Sequence, residues 1–148
     1  MSYLKTLFLG IVMVFSTVSS YAADSSSTIN VYKSAACGCC KEWVYHLEEN
    51  GFKVISHDVS DLETYKKRAN LPYDLGSCHT AFVDGYAVEG HVPATDIKKM
   101  LTEKPDIRGI AVPGMPMGSP GMEYGNRKDP YQTISYTRDG NKSVYASH

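Results

Sequence analysis

No run of lysine or arginine stands out in this chain of 148 residues, whose formal charge is -1 and whose pI is about 6.5. That balance gives no electrostatic reason to expect nucleic acid or an anionic membrane surface as partner. Internal repeats are missing, which argues against a solenoid or an array. So are a Gly-rich phosphate loop, a Ser-His-Asp set at recognisable spacing and paired carboxylates with an acid/base role. Nucleotide, serine-hydrolase and carboxylate-pair chemistries therefore lose their usual sequence warrant. Nor is there an apolar run long enough to serve comfortably as a membrane span; the stretch from Leu7 to Phe15 is too short.

That stretch follows Lys5 and precedes small polar residues and Ser20-Tyr21-Ala22-Ala23. A basic start, an apolar middle and small residues at the cleavage positions form the pattern of a secretory signal peptide. Cleavage after Ala22 is expected, with 1-22 as leader and 23-148 as one domain in the periplasm, free of the membrane. The leader has no Cys to lipidate. With 43% hydrophobic residues, the chain can build one compact core and is too short for two ordinary domains.

Export changes how the four cysteines read. In an oxidising compartment four would usually mean two structural disulfides. The spacing argues otherwise, because three lie in Cys37-Gly38-Cys39-Cys40 and Cys78 stands alone. Adjacent cysteines such as Cys39 and Cys40 can be bridged only through a distorted peptide, since disulfides need Cα atoms about 4.4 to 6.8 Å apart.

The segment 28–32 is β-prone, and Glu42 to Leu47 spaces apolar groups as a helix does before Asn50-Gly51 ends it. The cysteine triplet thus sits at a strand-to-helix turn, where free N–H groups and the helix dipole favour thiolates. Residues 52–59 read as a second strand. Ser60 and Glu63 suggest a capping box for a helix from Asp61 to Ala69, closed by Pro72. Residues 80–83 and 86–89 flank an Asp84-Gly85 turn, a strong hairpin signal. Pro93 opens a third helix with Ile97, Met100 and Leu101 on its apolar face. The order βαβαββα, with Cys37 and Cys40 as a Cys-x-x-Cys opening the first helix, is the thioredoxin plan within the α/β class.

If Val83 faces Tyr86, the hairpin register carried outward sets Cys78 opposite His91. His79 should then face away from Cys78 if the strand is already regular, and it stands as a reserve ligand. Residues 109–125 recur in Gly and Pro, which argues against a regular helix or a central strand there. Met115, Met117 and Met122 lie in this loop. Thioether with thiolate is the ligand combination that selects copper, and the loop methionines equally suit gap filling. Met100 reads as core, and His46 and His57 as packing or surface residues. Residues 131–145, turning at 138–141, read as a C-terminal β-hairpin. Zinc competes for four thiolates, but a closed site of that kind typically uses two separated Cys-x2-Cys pairs, and only one is present.

Four blocks in order carry a family resemblance: Tyr32 to Trp43, Ser77 to Ala81, Val88 to Ala94, and Val112 to Glu123. Together they resemble the CopG-type copper-resistance proteins of the bacterial periplasm, over nearly the whole mature chain. The resemblance implies a thioredoxin-like fold whose cysteines bridge several copper ions. It also implies interconversion of Cu(I) and Cu(II), which would make the protein a copper oxidoreductase. Cys37, Cys39, Cys40 and Cys78 would be the bridging set, with His91, Met115 and Met117 completing coordination, and Cys37 and Cys40 as the redox pair. Copper ions and a periplasmic copper-export or redox partner are the expected partners. The alternatives are a thiol-disulfide oxidoreductase using Cys37 and Cys40, and a passive copper store or chaperone.

Overall fold

The computed structural model describes residues 27–148; the expected leader lies outside them. The strands are β1 (Thr28–Lys33), β2 (Lys53–Asp58), β3 (His79–Val83), β4 (Tyr86–Glu89), β5 (Gly109–Ala111), β6 (Gln132–Tyr136) and β7 (Lys142–Ser147). The helices are α1 (Gly38–Glu49), α2 (Glu63–Arg68) and α3 (Ala94–Glu103), with a single 3-10 turn over Tyr73–Leu75. One mixed sheet of seven strands runs in the order β2-β1-β3-β4-β5-β6-β7. The β1/β2 and β4/β5 pairs are parallel and the rest antiparallel.

Period-two alternation in the strands sorts the side chains onto two faces. Ile29, Val31, Ala81, Val83, Val88 and Ile110 pack with Trp43, Val44 and Leu47 of α1 and with Ile97 and Met100 of α3. On the opposite face Ala87, Ala111 and Tyr136 pack with Ala69 and Leu75, from the segments around α2 and the 3-10 turn. Met100 is fully buried, as an apolar helix face requires. Trp43 is anchored at its polar end as well, its Nε1 donating to the Val92 carbonyl at 2.8 Å.

The hairpin of β3 and β4 turns on Asp84 and Gly85 with φ of 46° and 85°. Both central residues at positive φ match the twist of paired strands, which explains the Asp-Gly sequence there. Helix α3 begins after Pro93 and stops at Lys104, whose left-handed φ of 48° leads directly into Pro105.

Two local expectations are corrected. Helix α2 is shorter than 61–69 and is not opened by a Ser60–Glu63 box; Asp61 accepts from the Thr64 N–H at 3.3 Å and from its hydroxyl at 2.6 Å. Asp is as good a capping acceptor as Ser, and its side chain lies one residue nearer the helix. Residues 109–111 do form a strand, inside the sheet between β4 and β6. Proline begins only at Pro113, so every backbone donor of β5 remains available. Gly109 is there for closeness: a Cβ on it would lie 2.2 Å from the Ala87 carbonyl oxygen. The irregular loop runs from Val112 to Tyr131, and the β6–β7 hairpin then extends the main sheet.

Because the obstacle at Gly109 is backbone, Gly109→Ala should destabilise the protein by about 2 to 3 kcal/mol. Urea denaturation checks this; a loss below about 0.5 kcal/mol, the usual range of a neutral surface change, would contradict the close approach of β4 and β5.

Candidate metal centre

Cys37 is the N-cap of α1, Cys39 and Cys40 lie in its first turn, and no acidic residue shares that turn. The sulfurs therefore stand at the positive end of the helix dipole beside unsatisfied N–H groups. Cys78 arrives from the segment leading into β3. One ligand atom from each of Cys37, Cys39, Cys40 and Cys78 lies within 4.8 Å of all the others. Cys37 and Cys40 are joined as a disulfide, with Cα atoms 5.4 Å apart, and Cys39 and Cys78 are free. In this state the thiolates expected at the turn are thus partly withdrawn as a disulfide. The Sγ of Cys39 is 3.6 Å from that of Cys37, and the Sγ of Cys40 is 3.7 Å from the Cys78 carbonyl oxygen. A groove lined by Gly38, Glu42, Gly121, Glu123 and Tyr124 opens beside this turn.

A second group joins Cys78 to His79 and His91. The hairpin register pairs Thr80 with Glu89, so two residues further out Cys78 meets His91, whose Nε2 is 3.1 Å from the Cys78 Sγ. His91 is buried, and its Nδ1 lies 2.8 Å from the Pro120 carbonyl. A carbonyl only accepts, so Nδ1 carries the proton and the Nε2 lone pair faces the sulfur. This is how a metal-binding histidine is usually held. Burial lowers the pKa of His91, against a smaller opposing pull from Pro120 and Glu123.

His79 does not face away. Its Nδ1 is 3.3 Å from the Cys78 Sγ, its ring packs 4.3 Å from that of Trp43, and it is fully buried. Alternation fails because β3 becomes regular only at His79, so Cys78 precedes the ladder and is not bound by its period. Burial drives the His79 pKa well down and His91 adds to the shift, against a smaller opposing pull from the Gly90 backbone. The Cys78 thiol is pushed up to about 12, chiefly by burial and further by Cys39.

The backbone before Cys78 is gripped by a buried ion pair. Glu89, fully buried, accepts from the Ser77 N–H at 2.6 Å and from the Thr80 hydroxyl at 2.6 Å, and it pairs with Lys66. The Lys66 Nζ also donates to the Ser77 carbonyl at 3.0 Å. Burial raises the Glu89 pKa while Lys66, Thr80 and Ser77 pull it down.

The methionine loop is tied to the same segment. Gly114 N–H donates to Gly76 at 3.2 Å, and the Ser77 hydroxyl donates to the Gly114 carbonyl. Met115 is 51% exposed beside this tie, whereas Met117 is half-buried. Gly121 presses on α1, where a Cβ would lie 2.8 Å from the Cys39 carbonyl oxygen. Two further histidines serve the fold. His46 Nε2 accepts from the Ala94 N–H at 3.1 Å, at the start of α3, and His57 stacks on Tyr32 with its Nε2 3.1 Å from Asn30 Oδ1. Sequence reasoning held His79 only in reserve and pointed it the wrong way, and the carbonyl of Pro120 escaped it, since no residue pattern marks a loop carbonyl that will accept from His91.

The fold and site define a mixed α/β protein with a four-cysteine cluster at a strand-helix turn and a buried histidine against its fourth sulfur. A structure titled "Copper resistance protein copG- Form 2" matches with 55% sequence identity and a TM-score of 0.79, covering 82% of this chain and 98% of its own. "Copper resistance protein copG- Form 1" matches at 55% identity and a TM-score of 0.78, covering 82% and 96%. The chain belongs to the copper resistance protein CopG family. Residues 75–122 also match the family described as "Protein of unknown function, DUF411". No curated protein matches the chain.

Removing one partner of a buried ion pair strands the other, which costs about 3 to 5 kcal/mol. Lys66→Met should therefore destabilise the protein by about that amount at pH 7. Glu89 has a raised folded pKa, so its burial penalty grows as pH rises above the unfolded carboxylate range. The Lys66→Met deficit should accordingly shrink in acid, and Glu89→Gln in the same chain should recover part of it. Denaturation at pH 7 and pH 5 tests both points; equal deficits at the two pH values with no recovery would contradict the pairing.

Proposed function

We propose that this protein binds several copper ions in the periplasm through bridging thiolates of Cys37, Cys39, Cys40 and Cys78, and interconverts Cu(I) and Cu(II) in copper resistance. The observation that carries the reading is the convergence of four sulfurs, from α1 and from the lead into β3, within 4.8 Å. The donor set suits the ion: thiolates are soft ligands, each with lone pairs enough to bridge two Cu(I) ions, so four clustered sulfurs have capacity beyond one mononuclear site. His91 supplies an imidazole that tolerates Cu(II) better than thioethers do, and its hydrogen bond to Pro120 holds the ring in place. Met115 and Met117 complete coordination from the loop fastened to Ser77 and Gly76.

A thioredoxin-like arrangement is part of the same proposal. Its support is parallel β1 and β2 joined through α1, the antiparallel β3–β4 hairpin beside β1, α3 following, and Cys37-x-x-Cys40 opening α1. Among the described residues no helix is long and apolar enough to cross a membrane. Export through the 1-22 leader, and a copper-export or redox partner beyond it, belong to the proposal on sequence grounds alone.

In the disulfide state Cys37 and Cys40 are not thiolates, so two-electron reduction of that bond makes the full sulfur set available. The same disulfide favours a second reading, a thiol-disulfide oxidoreductase in which Cys39 and Cys78 are dispensable.

Anaerobic Cu(I) titration of the reduced mature protein, read by elemental analysis, separates the two. More than one tightly held copper per chain is expected, with Cys39→Ser or Cys78→Ser lowering the number. One copper or none, with both variants still exchanging protein disulfides, would leave the oxidoreductase.

A further inference from the structure

The two histidines beside Cys78 cannot do the same thing, and counting protons shows why. His91 Nδ1 donates to the Pro120 carbonyl, so in the neutral ring Nε2 is a bare lone pair 3.1 Å from the Cys78 sulfur. A thiol has one proton, and the nearer acceptor takes it: Cys78 Sγ–H donates to His91 Nε2. The Ser77 hydroxyl, 3.9 Å from the sulfur, has its own proton committed to the Gly114 carbonyl. Nothing remains on the sulfur for His79 Nδ1 at 3.3 Å, so that nitrogen must bring its own proton or set a lone pair against the sulfur. Moving the thiol proton to His91 changes nothing here, because a thiolate needs the donor still more.

The other end of His79 agrees. Its Nε2 is buried and has no hydrogen-bond partner. With the proton on Nδ1, Nε2 is an unpaired acceptor. The reverse tautomer would leave an orphaned buried N–H, the rarer and less tolerated fault, and lose the bond to sulfur as well.

We infer that His79 is a hydrogen-bond donor to the Cys78 sulfur and not a metal ligand, whereas His91 is the imidazole that exchanges the thiol proton for a metal ion. The inference about metal rests on the copper reading above; the tautomers do not. On loading, the Sγ–H bond of Cys78 breaks and its proton leaves to solvent. Cys78 Sγ and His91 Nε2 then bond to Cu(I), with no change in oxidation state. His79 keeps its N–H on the thiolate throughout, positioning the sulfur and moderating its donor strength, as partners of a ligand outside the coordination sphere do.

The first test is long-range proton–nitrogen NMR of the nitrogen-labelled full domain, metal-free with its disulfide intact and then reduced and loaded with Cu(I), which is diamagnetic. His79 is expected as the Nδ1–H tautomer before and after loading, with only His91 Nε2 shifting as a ligand. An Nε2–H form of His79, or loss of its Nδ1 proton on Cu(I) loading, overturns the inference. If no Cu(I) binds, the copper reading fails while the metal-free spectrum still decides the tautomers. His79→Asn keeps an N–H near the Nδ1 position and His79→Leu removes it. Cu(I) retention against a competing chelator should fall about tenfold or more in the Leu variant and recover in the Asn variant. Equal retention in the Leu variant and the parent overturns the role. A Leu variant that fails to fold leaves the spectra of the parent protein to decide.

Discussion

The site depends on a strand register fixed at a distance from it. The Asp84-Gly85 turn holds Val83 opposite Tyr86, and that pairing runs back along β3 and β4 to the open end of the hairpin. A slip of one residue would turn every side chain of β3 to the other face of the sheet. His79, Ala81 and Val83 would lose their places against Trp43 and the α1–α3 core, so the register is held by burial as well as by the turn. Pairing of β1 with β3 then brings this open end beside the start of α1, where Lys33 lies opposite His79 a few residues before the cysteine triplet.

Such a site carries a load of buried polar groups, and the fold offsets each by a specific bond. His91 has Pro120, Glu89 has Lys66 with Ser77 and Thr80, and Trp43 has Val92. Among the described residues the exception is His79 Nε2, unpartnered at zero exposure. An unsatisfied buried polar atom costs about 1 to 3 kcal/mol. That cost falls next to a free cysteine whose sulfur is within reach of two imidazoles, which is where a fold gives up stability for chemistry.

Much of this was legible in the residues, and what was not has physical causes. The hairpin, α1, α3 and the terminal pair of strands follow from period, turn chemistry and proline placement, all local signals. The pairing of Cys78 with His91 was legible too, because register propagates from the turn. Strand β5 was hidden because its defining glycine meets a requirement set by another strand, the carbonyl of Ala87. The direction of His79 was hidden because where a strand starts decides which way its first side chains point. The clamp of Lys66 and Glu89 on Ser77 joins residues far apart in sequence, and charged residues on a helix read as solvated surface until packing shows otherwise.

Copper K-edge X-ray absorption on the anaerobically loaded, reduced protein tests the central claim most directly, since it reports the copper environment whatever the activity. Bridging by Cys37, Cys39, Cys40 and Cys78 predicts a first shell dominated by sulfur together with copper–copper scattering, because one thiolate holds two ions close together. A shell of nitrogen and oxygen, or sulfur ligation without any copper–copper contribution, would contradict a thiolate-bridged cluster.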